Sequence, residues 1–274
     1  MRAAAGLLIG LCVAALAGAG PAAAGDAAGS MTIVGNGPES TVIEKLARAF
    51  EKANPRAYID VQWDEISKPI ELVKSGQAQL AVMGKPDPEL NATQVAWDGI
   101  AIMVSLSNQT KEITTKQAAD LFTGKVKFWS ELGGPDTRVL ILDRPANRNI
   151  RDAFEQQLGI VGQIPDHTKA IGPDDKAIKT VAGTLPPNSA VTFVSLVPAL
   201  EAVSSGVAVR LLPIDKVEPE KPPVKDGRYT LRRPVLFLSK KEPNQLVKAF
   251  EAFALSKEGQ KILDDLYTPI DPKS

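Results

Sequence analysis

Few side chains in this sequence are of the kinds that break bonds or hold metals. Its 274 residues contain one histidine, His167, and one cysteine, Cys12. That excludes a cysteine–histidine nucleophile in a processed chain and any cluster of imidazole or thiolate metal ligands. His167 sits in the loop-like run PDHTK with no second histidine to work with, and reads as a surface residue. The chemistry the sequence does offer is anion binding. Two short runs, GNGPES (35–40) and RPANRN (144–149), each stand between a strand-like apolar segment and a helix-like amphipathic one. A turn of that kind feeds a helix N-terminus, whose unpaired N–H groups and partial positive charge favour anions. The first run carries Asn36 and Ser40, the second Arg144, Arg148 and Asn149. An arginine fork can hold two oxygens of one anion. Three of these residues also have a plainer reading: Asn36 shapes its turn, Asn149 caps its helix with Asp152 in the first turn, and Arg148 lies in solvent.

The elements that would position these turns alternate between strand and helix. MTIVG (31–35) has the apolar, β-branched character of a buried strand. From Thr41, the residues Val42, Leu46, Ala49 and Phe50 recur at helical spacing, and Thr41 with Glu44 has the order of a capping box. A strand at 58–63, a short helix at 68–76 and a strand at 79–84 follow. A second unit repeats the scheme with strands at 99–107 and 138–143 and helices at 114–124 and 150–158. The run PEKPPVKDG (219–227), with three prolines and a glycine, is expected to be a loop, ahead of a strand at RRPVLFLSK (232–240) and a helix at 244–254. The fold class expected is α/β: two lobes, each a mainly parallel sheet flanked by helices, around a cleft. In such sheets ligands bind at the carboxyl ends of the strands, where both turns fall.

The first 24 residues have the order of a cleaved export signal: Arg2, an apolar run from Leu7 to Leu16, then Ala22, Ala23 and Ala24. The apolar run is too short to span a bilayer. Cleavage after Ala24 leaves 250 residues without a cysteine, compatible with an oxidising compartment outside the cytoplasm. It also leaves 31 basic against 32 acidic residues, with no run of like charge to suit nucleic acid or a membrane surface. At 44% hydrophobic residues the chain can bury one large core or two smaller ones.

Five runs in order give the chain a recognisable likeness: WDGIAIMVSLSN (97–108), LFTGKVKFWSELGG (121–134), ILDRPANRNIRDAF (141–154), DGRYTLRRPVLFLSK (226–240) and AFALSKEGQKIL (252–263). Over almost the whole mature length it resembles the phosphate-binding proteins of bacterial ABC importers, which have the type II periplasmic-binding fold. The resemblance implies a lobe of residues 25–105 and 214–274, a lobe of residues 106–213, and a crossing near Trp97 and Asp98. Phe128 and Trp129 read as packing, and Gly133 with Gly134 as a turn.

The family binds its anion from three turns, and all three depart from the family pattern here. In the first, Pro38 brings no N–H, and Glu39 would repel an anion if it faced inward. In the second, 64–69, Ser67 is the only hydroxyl, and Gln79 falls near the place of an aspartate that accepts a hydrogen bond from a protonated phosphate. In the third, the family order R-E-x-G-S-G-T-R-x-x-F falls on 144–154, keeping Arg144, Arg151 and Phe154 but replacing serine, glycine and threonine by Arg148, Asn149 and Ile150. The implied ligand set is therefore Asn36, Ser40, Ser67, Gln79, Arg144, Arg148 and Asn149. The implied function is that of a monomeric, non-enzymatic periplasmic receptor. It would need no metal or cofactor, take phosphate or a related oxyanion between its lobes, and deliver it to an inner-membrane permease. Two alternatives stay open: a degenerate binding-protein fold serving as a sensory or interaction module, and a phosphate-ester hydrolase working through Glu39. Glu39 and Asp64 would also suit a cationic or zwitterionic ligand.

Overall fold

The structure, a computed structural model, describes residues 27–63, 68–146, 149–166 and 168–271. The expected signal peptide (1–24) and the residues Asp64, Ser67, Arg148 and His167 lie outside the described residues.

The first unit is built from β1 (Ala28–Gly35), α1 (Ser40–Ala53), β2 (Arg56–Gln62), α2 (Pro69–Ser75) and β3 (Leu80–Met83). Parallel pairing puts β1 between β2 and β3. Helix α1 covers them by burying Val42, Ile43, Leu46, Ala47 and Phe50, the one-sided stripe expected of an amphipathic helix. The capping box expected at Thr41 and Glu44 is not formed. Glu39 is the N-cap and already has helical φ and ψ of −77° and −12°, so Thr41 sits inside the first turn, where its hydroxyl cannot reach back over the open N–H groups.

Strand β4 (Asn91–Ser105) then passes from one unit to the other. The second unit comprises α3 (Thr115–Phe122), β5 (Leu140–Asp143), α4 (Asn149–Leu158), β6 (Lys169–Ala170), α5 (Asp174–Gly183), β7 (Ala190–Ser195), α6 (Leu196–Ser204) and β8 (Val209–Leu211). The chain returns through α7 (Lys221–Asp226) and β9 (Arg232–Ser239), then closes with α8 (Gln245–Leu255), α9 (Lys257–Leu263) and β10 (Thr268–Pro269). The first part of β4 pairs with β9 and its second part with β7 and β8, all antiparallel. Strands β5, β6 and β7 are parallel, while β3 pairs antiparallel with β9. Each unit thus joins parallel strands on one side to antiparallel pairings of β4 on the other, a mixed sheet rather than a mainly parallel one.

Two main apolar cores result. One gathers Ile33, Phe50, Val95, Phe237 and Phe250, with the Phe50 and Phe250 rings edge to face at 5.3 Å. The other gathers Phe122, Trp129, Phe154, Phe193 and Tyr229, with Phe154 stacked on Phe193 at 3.9 Å. Trp129 is core packing, as expected, and its indole N–H donates to the Ser189 carbonyl at 2.9 Å, while Phe128 stays largely on the surface. The proline-rich run expected to be a loop contains α7. Pro222 and Pro223 fall in its first turn, where the helix has no use for their missing N–H groups, and Gly227 ends it at φ +87°.

Candidate ligand-binding site

The two strand-to-helix turns meet at the junction of the two units, around a buried arginine that sequence reasoning passed over. Arg233 lies on β9 opposite Asp98 on β4, and both are about 1% exposed. Its Nε and one terminal nitrogen donate to Asp98 Oδ2 at 3.0 and 2.8 Å. The same terminal nitrogen donates to Glu39 Oε1 at 2.7 Å, and the other donates to Asn149 Oδ1 at 2.5 Å. Asp98 also accepts from the Ser195 hydroxyl at 3.0 Å. One guanidinium therefore ties the turn before α1, the crossing strand and the head of α4.

The electrostatics follow from this geometry. Burial pushes the Asp98 carboxyl up to about 6; Arg233 opposes the rise, while Glu39 and Asp174 add to it. Burial disfavours the Arg233 charge, yet Glu39 and Asp98 hold it above the usual arginine range. Tyr267 is held protonated, by burial first and then by the fields of Glu39 and Asp98. One cation faces two carboxylates at the centre of the cluster, a balance that favours protons and cations over further anions.

The turn before α1 owes its shape to two glycines. The Trp63 ring packs against Gly35, where a Cβ would come within 2.3 Å of it, and its indole N–H donates to the Gly37 carbonyl at 2.8 Å. A Cβ on Gly37 would sit 1.9 Å from Glu39 Oε2 and 2.7 Å from Asn149 Nδ2. Glu39 is fully buried and makes no cap bond to its own helix. Among the described residues, Glu39 Oε2 and Asn149 Nδ2 are buried without hydrogen-bond partners. Between Gly84 and Lys85 on one side and Asn149, Asp152 and Gln156 on the other, a cavity of about 20 Å³ remains, room for about one water. A larger, open hollow of about 570 Å³ lies between Thr41 and Val197, but the lysines beside it already pair with Asp264 and Asp265.

The residues expected from sequence separate into three groups. Asn149 is in the cluster, and Asn36 and Ser40 are half-buried in the turn that carries Glu39. Arg144 is close by but engaged within its own unit. It makes a 2.6 Å charge contact with Asp174 that is not aligned as a hydrogen bond, and it donates to the carbonyls of Phe193 and Gly172 at 3.2 and 2.5 Å. Gln79 is not brought to the cluster. Its Oε1 accepts from the Thr32 N–H at 2.8 Å at the start of β3, the end of that strand remote from Gly84 and Arg233. Arg151 chelates Asp143 at 3.0–3.1 Å and reaches Glu155 at 2.7 Å, bracing the start of α4 against the end of β5. The missed residues did leave a signal, because Arg233 is in phase with Val235 and Phe237, and Asp98 with Ile100 and Ile102. A strand's period of two then turns each charge toward the buried side.

Comparison with known proteins places this architecture. A sequence profile described as a PBP superfamily domain matches residues 20–258. The chain belongs to the PBP superfamily. Within it, the chain is 28% identical over 254 residues to the phosphate-binding protein PstS of Bacillus subtilis, covering 89% of this chain and 82% of that one. A shorter match, 31% over 110 residues and 38% of each chain, is to PstS 2 of Streptococcus agalactiae. Among solved structures, a phosphate ABC transporter substrate-binding protein from Clostridium perfringens, with bound phosphate, superposes with a TM-score of 0.77 at 26% identity. That match covers 89% of this chain and all of the other. An ABC-type phosphate transport receptor from Vibrio cholerae superposes with a TM-score of 0.76 at 24% identity, over 88% of this chain and all of the other, which speaks for the shared fold. The chain is thus a phosphate-binding-protein-like member of the superfamily with its two-lobed α/β fold.

Proposed function

We propose that the protein is the substrate-binding component of a phosphate-type ABC importer: a periplasmic, monomeric, non-catalytic receptor that takes a small oxyanion between its lobes and passes it to an inner-membrane permease. The observation that carries this reading is the meeting of α1 and α4, one from each unit, with their N-terminal ends around Arg233. Two helix starts and a guanidinium are the kinds of donor an oxyanion needs. The named function of the Bacillus subtilis relative, matched over most of both chains, supports it. Calorimetric titration of the mature protein with phosphate, sulfate, arsenate and molybdate tests it. One-to-one binding of at least one anion is expected, and silence toward all four overturns the reading.

A second reading, a binding-protein fold kept as a sensory or interaction module, is favoured by one observation. Glu39 and Asp98 set two buried carboxylates against a single guanidinium, leaving little attraction for a further anion. It calls for silence in the same titration.

A further inference from the structure

We propose that the Glu39 carboxylate is an internal stand-in for the ligand's oxyanion. The chain supplies, from its own first turn, the anion that Arg233 and Asn149 would otherwise take from solution, and this determines which anions the site admits. The inference rests on the oxyanion-receptor reading and concerns the same site.

Position speaks for it first. A residue at the head of a helix ordinarily turns a short polar side chain back to the open N–H groups. Glu39 instead extends away from its helix, makes no cap bond, and is fully buried against Arg233. The seat is also shaped for it, since the bare Cα of Gly37 leaves the space in which Glu39 Oε2 and Asn149 Nδ2 lie. Any oxyanion resting on Arg233 from the same side would need the nitrogen that Glu39 holds at 2.7 Å, and the cavity of about 20 Å³ beside it is too small to offer another seat.

The bonding is that of a seat incompletely filled. A carboxylate has two oxygens where a tetrahedral oxyanion has four. Glu39 Oε1 is engaged, while Oε2 and the facing Asn149 Nδ2 are buried and unpartnered among the described residues. Such orphans are costly and rare in native interiors. An anion with more oxygens, in place of Glu39, has an acceptor to offer Asn149 Nδ2. Charge points the same way, because with Glu39 absent Arg233 faces Asp98 alone.

The test compares wild type with Glu39→Gln, nearly isosteric, and Glu39→Ala, which opens the seat. Inorganic phosphate is titrated into wild type and Glu39→Gln, and acetate is added to all three while their melting temperatures are followed. The expected results are at least tenfold tighter phosphate binding by Glu39→Gln, and a rise in melting temperature with acetate confined to Glu39→Ala. Folded variants, by circular dichroism, that gain affinity for neither anion overturn the inference. So does wild type binding phosphate as tightly as Glu39→Gln, an outcome that leaves the receptor reading standing. A wild type silent toward phosphate beside a binding Glu39→Gln supports the stand-in, and the receptor reading for the natural chain then falls only if sulfate, arsenate and molybdate are silent too. Should neither variant fold, crystals of wild type grown in phosphate decide. An anion on Arg233 with Glu39 displaced supports the inference, and an intact Glu39–Arg233 pair overturns it.

Discussion

Asp98 carries the residue-scale consequence of a cluster with one cation and two carboxylates. Its carboxyl is raised to about 6 by burial, with Arg233 opposing and Glu39 and Asp174 reinforcing the shift. An acid whose folded pKa lies above its unfolded value of 3.8 binds more protons when folded, between those two values. Its contribution to stability is therefore complete below about pH 4 and is lost as pH rises through about 6. Thermal melts of wild type and Asp98→Asn across pH 4 to 8 should show the wild-type melting temperature falling relative to the variant over that window. A difference that stays level would mean Asp98 titrates normally. This is also the scale at which the sequence was least legible. Asn149 was found from its place at a helix start, but Arg233 and Asp98 come from strands 135 residues apart that meet only through the pairing of β4 with β9. Glu39 could be flagged as the wrong charge for an anion, but not as a buried partner of a residue so remote in sequence.

At the scale of elements, most strands and helices were legible because their apolar patterning reflects burial, as in the stripe of α1 and the apolar run 31–35 that ends β1. The exceptions had local causes. The proline-rich α7 reads as a loop because proline's penalty depends on its position within a helix, and both prolines occupy the tolerant first turn. The antiparallel role of β9 depends on a long-range return of the chain, which no periodicity encodes. The turn that seats Glu39 depends in turn on Gly35, where the Trp63 ring leaves no room for a side chain. Gly35→Ala should therefore displace the indole, break its 2.8 Å bond to the Gly37 carbonyl and cost about 1–3 kcal/mol, as overpacking does. Urea unfolding gives the cost, and tryptophan emission should move to longer wavelength. An unchanged midpoint with unchanged emission would show that the turn does not lean on Trp63.

Across the whole molecule, two cores share β4, and side chains from both units meet at their junction in two different settings. Inside, Arg233 is bonded to Glu39 and Asn149 away from solvent. At the rim, Lys85, just after β3, meets Asp152 of α4 at 3.1 Å with side chains 50% and 41% exposed. Water and salt screen the rim pair but hardly reach the inner one. If the inner cluster holds the units together, the rim pair should behave as an ordinary surface ion pair. A double-mutant cycle with Lys85→Ala and Asp152→Ala should then give a coupling of about 0.2–1 kcal/mol at low salt that vanishes near 0.5 M salt. A coupling of about 2 kcal/mol or more, undiminished by salt, would move the main tie between the units from the buried arginine to the rim. It would also remove the reason for treating Arg233, rather than Lys85, as the cation around which the cleft is organised.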